Sequence, residues 1–524
     1  MEDRERHGRE SYFVVGEGLL GVGDDARPAF TSMSADLRAF RFSRLGPTGR
    51  QPGEPARRRI AAAMTRDARK RDSAIPAGYT YLGQFVDHDL TFDRSRLGDD
   101  RTVPIADLVQ GRSPSLDLDA LYGLGPSLSP GFYADDGVHL RRGTTIPVPG
   151  DPGTGRAHPG FDVPRRAGGA PRIPDPRNDE NLAVAQIHAA FIRFHNRVVD
   201  VLAADGVPEA ARFEAARTAV VKHYQWMLRT DFLPRIVRPG IVDAVFGGGR
   251  KVFEVAPPPG DPPTMPVEFS VAAYRAGHSM VRSAYDWNRI FDDGSGTLDL
   301  LFTFSGTGGD LGGEARLISS WIADLRRLFD FDEHGEHPEL RPVVRGRSRL
   351  NMARRIDTLL ADPLAHLPAG STGGPEARPA RRNLAFRNLT RARMLRLATG
   401  QQMAALMRSR GVDVRTLTAE RILEGNGGAR LDALNAAQRA ALARDTPLWF
   451  YVLREAELAG GRLSGVGGRL VAETFHRAME GSAISILGDP GFTPALGVVP
   501  GRFGMTDLLL FAAEGREELL NPLG

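Results

Sequence analysis

The sequence predicts a mainly α protein, one large helical domain with long irregular loops. Three observations carry this. Several stretches place apolar residues at helical spacing, strand-like alternation is scarce and short, and the 60 Gly and 37 Pro gather in a few long connections. Taken in order, the stretch Gly143 to Arg177 is too rich in Gly and Pro for a helix or a regular strand. Residues 181–204, NLAVAQIHAAFIRFHNRVVDVLAA, then hold helical spacing for roughly six turns. Asp179 and Glu180 stand at the start, where the helix dipole favours acids. Segments 208–235, 268–283, 315–330, 388–410, 430–458 and 467–482 follow the same pattern. VAPPPGDPPTMP (255–266) and LPAGSTGGPEARPA (367–380) are two further irregular connections. There is no internal repeat. Length alone gives a prior of about three to four domains. The polar residues singled out below lie on both sides of each loop, which favours one catalytic unit. We therefore expect residues 1–75 to form an N-terminal arm or extension and residues 76–524 the catalytic domain.

Composition narrows the chemistry. The chain has 524 residues, 41% hydrophobic and 25% charged, enough to bury a large core without covalent staples. It has no cysteine, which excludes disulfides, thiolate metal sites and Cys nucleophiles. Any metal is then held by His, carboxylates or carbonyls. Of 68 basic residues only Lys70, Lys222 and Lys251 are lysines, and acids are interspersed throughout. No basic block tracks a nucleic-acid backbone, so no nucleic-acid partner is expected. The opening MEDRERHGRESYFVVGEG has no apolar signal core, and no run approaches the ~18 apolar residues of a spanning helix. These features predict a soluble, cytoplasmic protein with no membrane span.

Most of the twelve histidines sit in polar contexts and read as solvated. Four stand apart in apolar surroundings: His88 in YLGQFVDHDLTFD, His188 and His195 seven residues apart on one helix face, and His278 in EFSVAAYRAGHSMVRSAYDWN. Singly, each is more often a satisfied core histidine than a ligand. Together, GQFVDHD, a DxD loop, RNDENL with a following His, and AYRAGHSMVR occur in a fixed order. In these motifs the chain resembles the animal-type haem peroxidase superfamily, which includes the cyclooxygenases, from about Tyr81 to about Met479. The intracellular, cysteine-free character suggests a bacterial-type member.

The resemblance implies a haem b cofactor, with ester links at Asp87, Glu180 or both, and a Ca²⁺ ion. It implies His278 as proximal iron ligand, Asn388 as the partner of that imidazole (Asn383 being a second register), and Arg391 as a propionate anchor. It implies His88 as distal base, Arg177 as its cationic partner and Gln84 as a distal contact. A neutral imidazole suits proton transfer between the two peroxide oxygens, and a fixed guanidinium suits the charge that develops as the O–O bond breaks. Asn181 stands where some members carry a Met bonded to haem, so that link is not expected. Asp89, Ser113, Ser115, Asp117 and Asp119 match the family's calcium site, and the hard ion needs such oxygens. Arg275, three residues before His278, is the peroxidase residue. The cyclooxygenases have a Tyr there, whereas here Tyr274 is displaced by one position. The expected function is a haem peroxidase reducing hydrogen peroxide and oxidising a halide, phenolic or other small-molecule electron donor. The alternatives are a fatty-acid dioxygenase and a haem- and calcium-binding protein without turnover. A zinc hydrolase built on DHD would need a third ligand that no spacing suggests.

Overall fold

In the computed structural model, residues 11–14, 18–21, 40–66, 71–93, 101–148, 155–258, 260–367 and 379–524 are described. The longer helices are α1 (Glu54–Met64), α2 (Gly78–Leu90), α3 (Leu182–Ala204), α4 (Glu209–Met227), α5 (Pro239–Gly248), α6 (Leu384–Met394), α7 (Gly400–Ser409), α8 (Ala436–Arg444), α9 (Leu448–Leu458), α10 (Gly465–Glu480) and α11 (Met505–Ala512). Every β-sheet has only two strands. The mainly α reading holds. No helix among the described residues is long and apolar enough to cross a membrane.

The long helix α3 starts at Leu182, so Asp179 and Glu180 lie on the 3₁₀ turn ahead of it and not in its first turn. The Asn181 side chain accepts from the Val184 N–H and satisfies an otherwise orphaned donor. The first four turns of α3 are buried nearly all round, as befits a helix apolar on every face. It packs on α2, α4 and α11 at the centre of the molecule. The core is continuous from Phe42, Ile60 and Met64 to Leu520. Part of the expected N-terminal arm is therefore built into it: α1 packs on α6, and Phe42–Ser43 pairs in parallel with Met265–Pro266.

Four predicted helices differ from expectation for local reasons. Segment 315–330 is not helical beyond two single 3₁₀ turns, Ser319–Trp321 and Leu325–Arg327. Its backbone bonds sideways instead, between Ile146 N–H and the Leu317 carbonyl and between Ser319 N–H and the Ile146 carbonyl. Segment 388–410 breaks after α6, where Arg396 takes a positive φ of 46° and Thr399 caps α7 with Gln402. Segment 430–458 breaks ahead of Pro447, which lacks an N–H and disfavours helix in the residue before it. Segment 268–283 is a π turn, Phe269–Ala273, running into a 3₁₀ helix, Tyr274–Met280. Conversely, the Gly/Pro stretch after Gly143 holds a short hairpin, Gly143–Thr144 with Pro159–Asp162. Most of the 367–380 connection lies outside the described residues.

Candidate active site

Helix α2 presents Gln84, Asp87 and His88 to an apolar cavity, and the 3₁₀ helix presents Arg275 and His278 to the same cavity. Phe232, Phe302, Leu384 and Leu463 supply much of the apolar wall. The two histidines that the sequence placed on opposite roles thus share one chamber, although 190 residues separate them.

Burial governs the ionisation of both imidazoles. Desolvation, helped by nearby guanidinium groups, pushes His88 and His278 each down to about 3, so both are neutral near pH 7. His88 Nδ1 faces Asn178 Oδ1 at 2.9 Å, and its Nε2 lies 3.9 Å from Glu180 Oε2, too far to bond. His278 Nδ1 lies 3.2 Å from Asn388 Nδ2, while Asn388 Oδ1 accepts from Arg275 at 2.9 Å. Asn388 is therefore the observed partner of His278, but with its amide nitrogen toward Nδ1 and its oxygen taken by Arg275, so it meets the ring as a donor and not as the expected acceptor. Asn383 instead caps α6 by accepting from the Phe386 N–H.

Gln84 spans the distal side. Its Nε2 donates to Glu180 Oε2 at 3.1 Å, and its Oε1 accepts from Asn181 at 2.9 Å. Glu180 is buried, its Oε1 meets no hydrogen-bond partner, and desolvation lifts its pKa to about 8. Its backbone is held by the 305–308 turn: Ser305 Oγ donates to the Glu180 carbonyl at 3.0 Å. A Cβ at Gly308 would run into that same carbonyl, so glycine is required there. Asp87 lines the cavity and accepts from Thr91 Oγ1 at 3.2 Å, its pKa also raised by burial.

Arg177 is not placed beside His88 in the chamber. Its guanidinium is bidentate on Asp175 (3.0 and 2.7 Å), donates to the His88 carbonyl at 3.0 Å and lies over Phe92. Arg112 grips the same Asp175 at 3.0 Å, and the two cations hold that carboxyl far below the usual range. Arg177 instead lines a small second cavity with Arg275, Arg391, Asp93 and Ser270, whose hydroxyl is buried without a partner. Arg391 pairs with Asp93. Sequence reading missed Asp175, Asp93 and Ser270, although PDPR already placed an acid two residues before Arg177.

Three carboxylates, the buried Asp89 and the half-buried Asp117 and Asp119, meet beside α2. Asp89 accepts from Leu118 and Ala120 N–H groups and from Tyr224, with Leu118 held at a φ of 62°. Asp117 accepts from Ser113 Oγ at 3.2 Å, and Asp119 accepts from the Ser113 N–H at 3.3 Å. Burial and repulsion from neighbouring carboxylates raise Asp89 to about 8 and push Asp117 up, and burial pushes Asp119 up. Ser115 turns away and donates to the Gly481 carbonyl. No group of three or more acid or His side chains among the described residues is already drawn into a metal-holding arrangement. His188 and His195, the other two singled-out histidines, lie on α3 behind the chamber.

These features define one apolar chamber lined by two neutral histidines. Residues 144–305 match the family model "Animal haem peroxidase". A peroxidase-like protein of Margaritifera margaritifera is 32% identical over 114 residues, 21% of this chain and 14% of that protein's length. Peroxidase A of Dictyostelium discoideum shares the fold with a TM-score of 0.54 at 15% identity, covering 85% of this chain and 86% of its own. Fatty acid α-dioxygenase of Arabidopsis thaliana shares it with a TM-score of 0.55 at 13% identity, covering 99% and 82%. Residues 144–305 are thus similar to the animal haem peroxidase family, and the chain as a whole shares the fold of these two solved structures. The matched segment contains Arg177, Glu180 and His278. It excludes His88, the acidic loop and Asn388.

Proposed function

We propose that the protein is a haem-dependent peroxidase that reduces hydrogen peroxide at the expense of a small-molecule electron donor. The observation that carries this is one apolar chamber bearing two neutral histidines, His88 and His278, on opposing elements. Haem, when bound, supplies the iron and stores the oxidising equivalents. The protein fits that group. The walls are apolar, His278 offers a neutral imidazole, and Arg275 joins the chamber to a small second cavity that it lines with Arg177 and Arg391, where propionates would find cations. Asp87 and Glu180 are the acids available for esters.

His88 Nε2 takes a proton from peroxide and returns it to the departing oxygen, since a neutral imidazole can do both. Gln84 orders the polar contacts beside it. Arg177 acts through Asp175 and the His88 carbonyl, fixing the base from behind and adding positive potential at the propionate edge. Asp89, Asp117 and Asp119 suit Ca²⁺, which would offset the repulsion that now raises their pKa values. Purified protein supplied with haem should show a Soret band that shifts with peroxide, together with phenol oxidation. Failure to bind haem sinks the proposal.

A second reading rests on Tyr274, which lines the chamber and donates to the Gly83 carbonyl at 3.2 Å. A tyrosine there, in a fold shared with a fatty-acid dioxygenase, would suit hydrogen abstraction. Oxygen uptake with a long-chain fatty acid, without peroxide-driven phenol turnover, would favour it.

A further inference from the structure

His88 and His188 are joined through one amide. Asn178 is fully buried on the 3₁₀ turn Pro176–Asp179. Its Oδ1 faces His88 Nδ1 at 2.9 Å, and its Nδ2 faces His188 Nδ1 at 3.0 Å. An amide oxygen only accepts and an amide nitrogen only donates. His88 must then carry its proton on Nδ1 and keep its lone pair on Nε2, the nitrogen not engaged by Asn178. His188, as acceptor at Nδ1, carries its proton on Nε2, which meets no hydrogen-bond partner. Reversing the amide would invert both rings and leave His88 with an N–H where a base is needed.

The turn that carries Asn178 is clamped on both sides. Arg177 is bidentate on Asp175, and Asp179 is gripped by Arg165 at 2.8 and 3.0 Å. Arg165 is tied in turn to Asp162 at 2.7 Å. His188 is held from the far side by α3 and by an edge-on contact with Phe85 of α2, ring centroids 5.8 Å apart. His195, one face further along α3, contrasts with it: its Nδ1 meets the Tyr122 hydroxyl and its Nε2 the Val138 carbonyl, so both nitrogens are satisfied within the core.

We propose that Asn178 and His188 are positioning residues that fix the tautomer of His88, leaving Nε2 as the proton acceptor for peroxide. The inference deepens the peroxidase reading and rests on it for its catalytic meaning, but the tautomer exists with or without haem. Second-shell partners that fix a ring's tautomer commonly change activity 10- to 100-fold when removed.

The test is long-range ¹H–¹⁵N correlation of ¹⁵N-histidine-labelled, haem-free protein, with His88 assigned by its loss in H88A. The expected result is His88 protonated at Nδ1 and His188 at Nε2. Asn178→Leu should abolish the His88 preference, and Asn178→Asp, which still accepts from Nδ1, should retain it. With haem supplied, Asn178→Leu should lower kcat/KM for peroxide about 10- to 100-fold, with KM for a phenol donor unchanged and Asn178→Asp restoring the rate. Wild-type His88 protonated at Nε2, or a folded Asn178→Leu protein with an unaltered His88 tautomer, would overturn the inference. Loss of haem binding in the wild type would overturn the peroxidase reading while leaving the tautomer result standing.

Discussion

The two walls of the chamber are built differently. His88 stands on a regular α-helix and is held by a turn 90 residues away, in a short segment clamped by buried ion pairs. His278 stands on an irregular π-to-3₁₀ segment and is held by Asn388, 110 residues away on another helix. A 3₁₀ helix eclipses residues i and i+3, so Arg275 falls directly behind His278 and reaches Asn388. The His88 wall is a regular helix framed by clamped ion pairs, and the His278 wall is a bent strut that aligns one ring and one cation.

Breaking the proximal wall should have the largest effect. His278→Ala should abolish haem retention, read as loss of the Soret band at unchanged helix content. Next, His88→Ala should keep haem but slow the peroxide step by about 10²- to 10⁴-fold, as loss of a general base does, measured by stopped-flow mixing with peroxide. Equal haem loss in both variants would erase the distinction between the walls.

Calcium should sharpen it further. Asp89 sits next to His88 in sequence and is raised to about 8, so in ion-free protein its contribution to stability is present at low pH and lost as pH rises through that value. Added Ca²⁺ takes the deprotonated form. The calcium-induced rise in Tm should therefore grow from pH 6 to pH 9, approaching about 2.7 kcal/mol at a hundredfold excess over Kd. A pH-independent response would count against the site. The smallest effect concerns Glu180, also raised to about 8 from 4.5. Haem-free wild type should lose stability across that interval, and Glu180→Gln should lose less, by on the order of a few kcal/mol at pH 9. Parallel melting curves against pH for the two proteins would test it.

Much of this was legible in the sequence. The helical content, the Asn181 start of α3, the sharing of one chamber by His88, Gln84, Asp87 and His278, and the Asn388–His278 contact follow from spacing and motif. What escaped was set by the third dimension. Segment 315–330 has the apolar spacing of a helix, but its backbone bonds to Ile146 instead. Arg177 was expected in the chamber, and Asp175 holds it in the small second cavity instead. Asn178 carries no signal of its own in a polar turn. Only its two histidine neighbours, brought from α2 and α3, give it meaning.

The long span of these contacts also bears on how the chain folds. Three hydrogen bonds that order the chamber close loops of 90 residues or more: His88 to Asn178, Gln84 to Glu180, Asn388 to His278. Loop closure of that length must be met before the contacts can reward it. Helices such as α3 can form early and locally, whereas competence to capture a cofactor arrives last. In refolding, helix signal should recover ahead of haem uptake, and the interval between them is the time the chain spends compact with its central chamber unfinished.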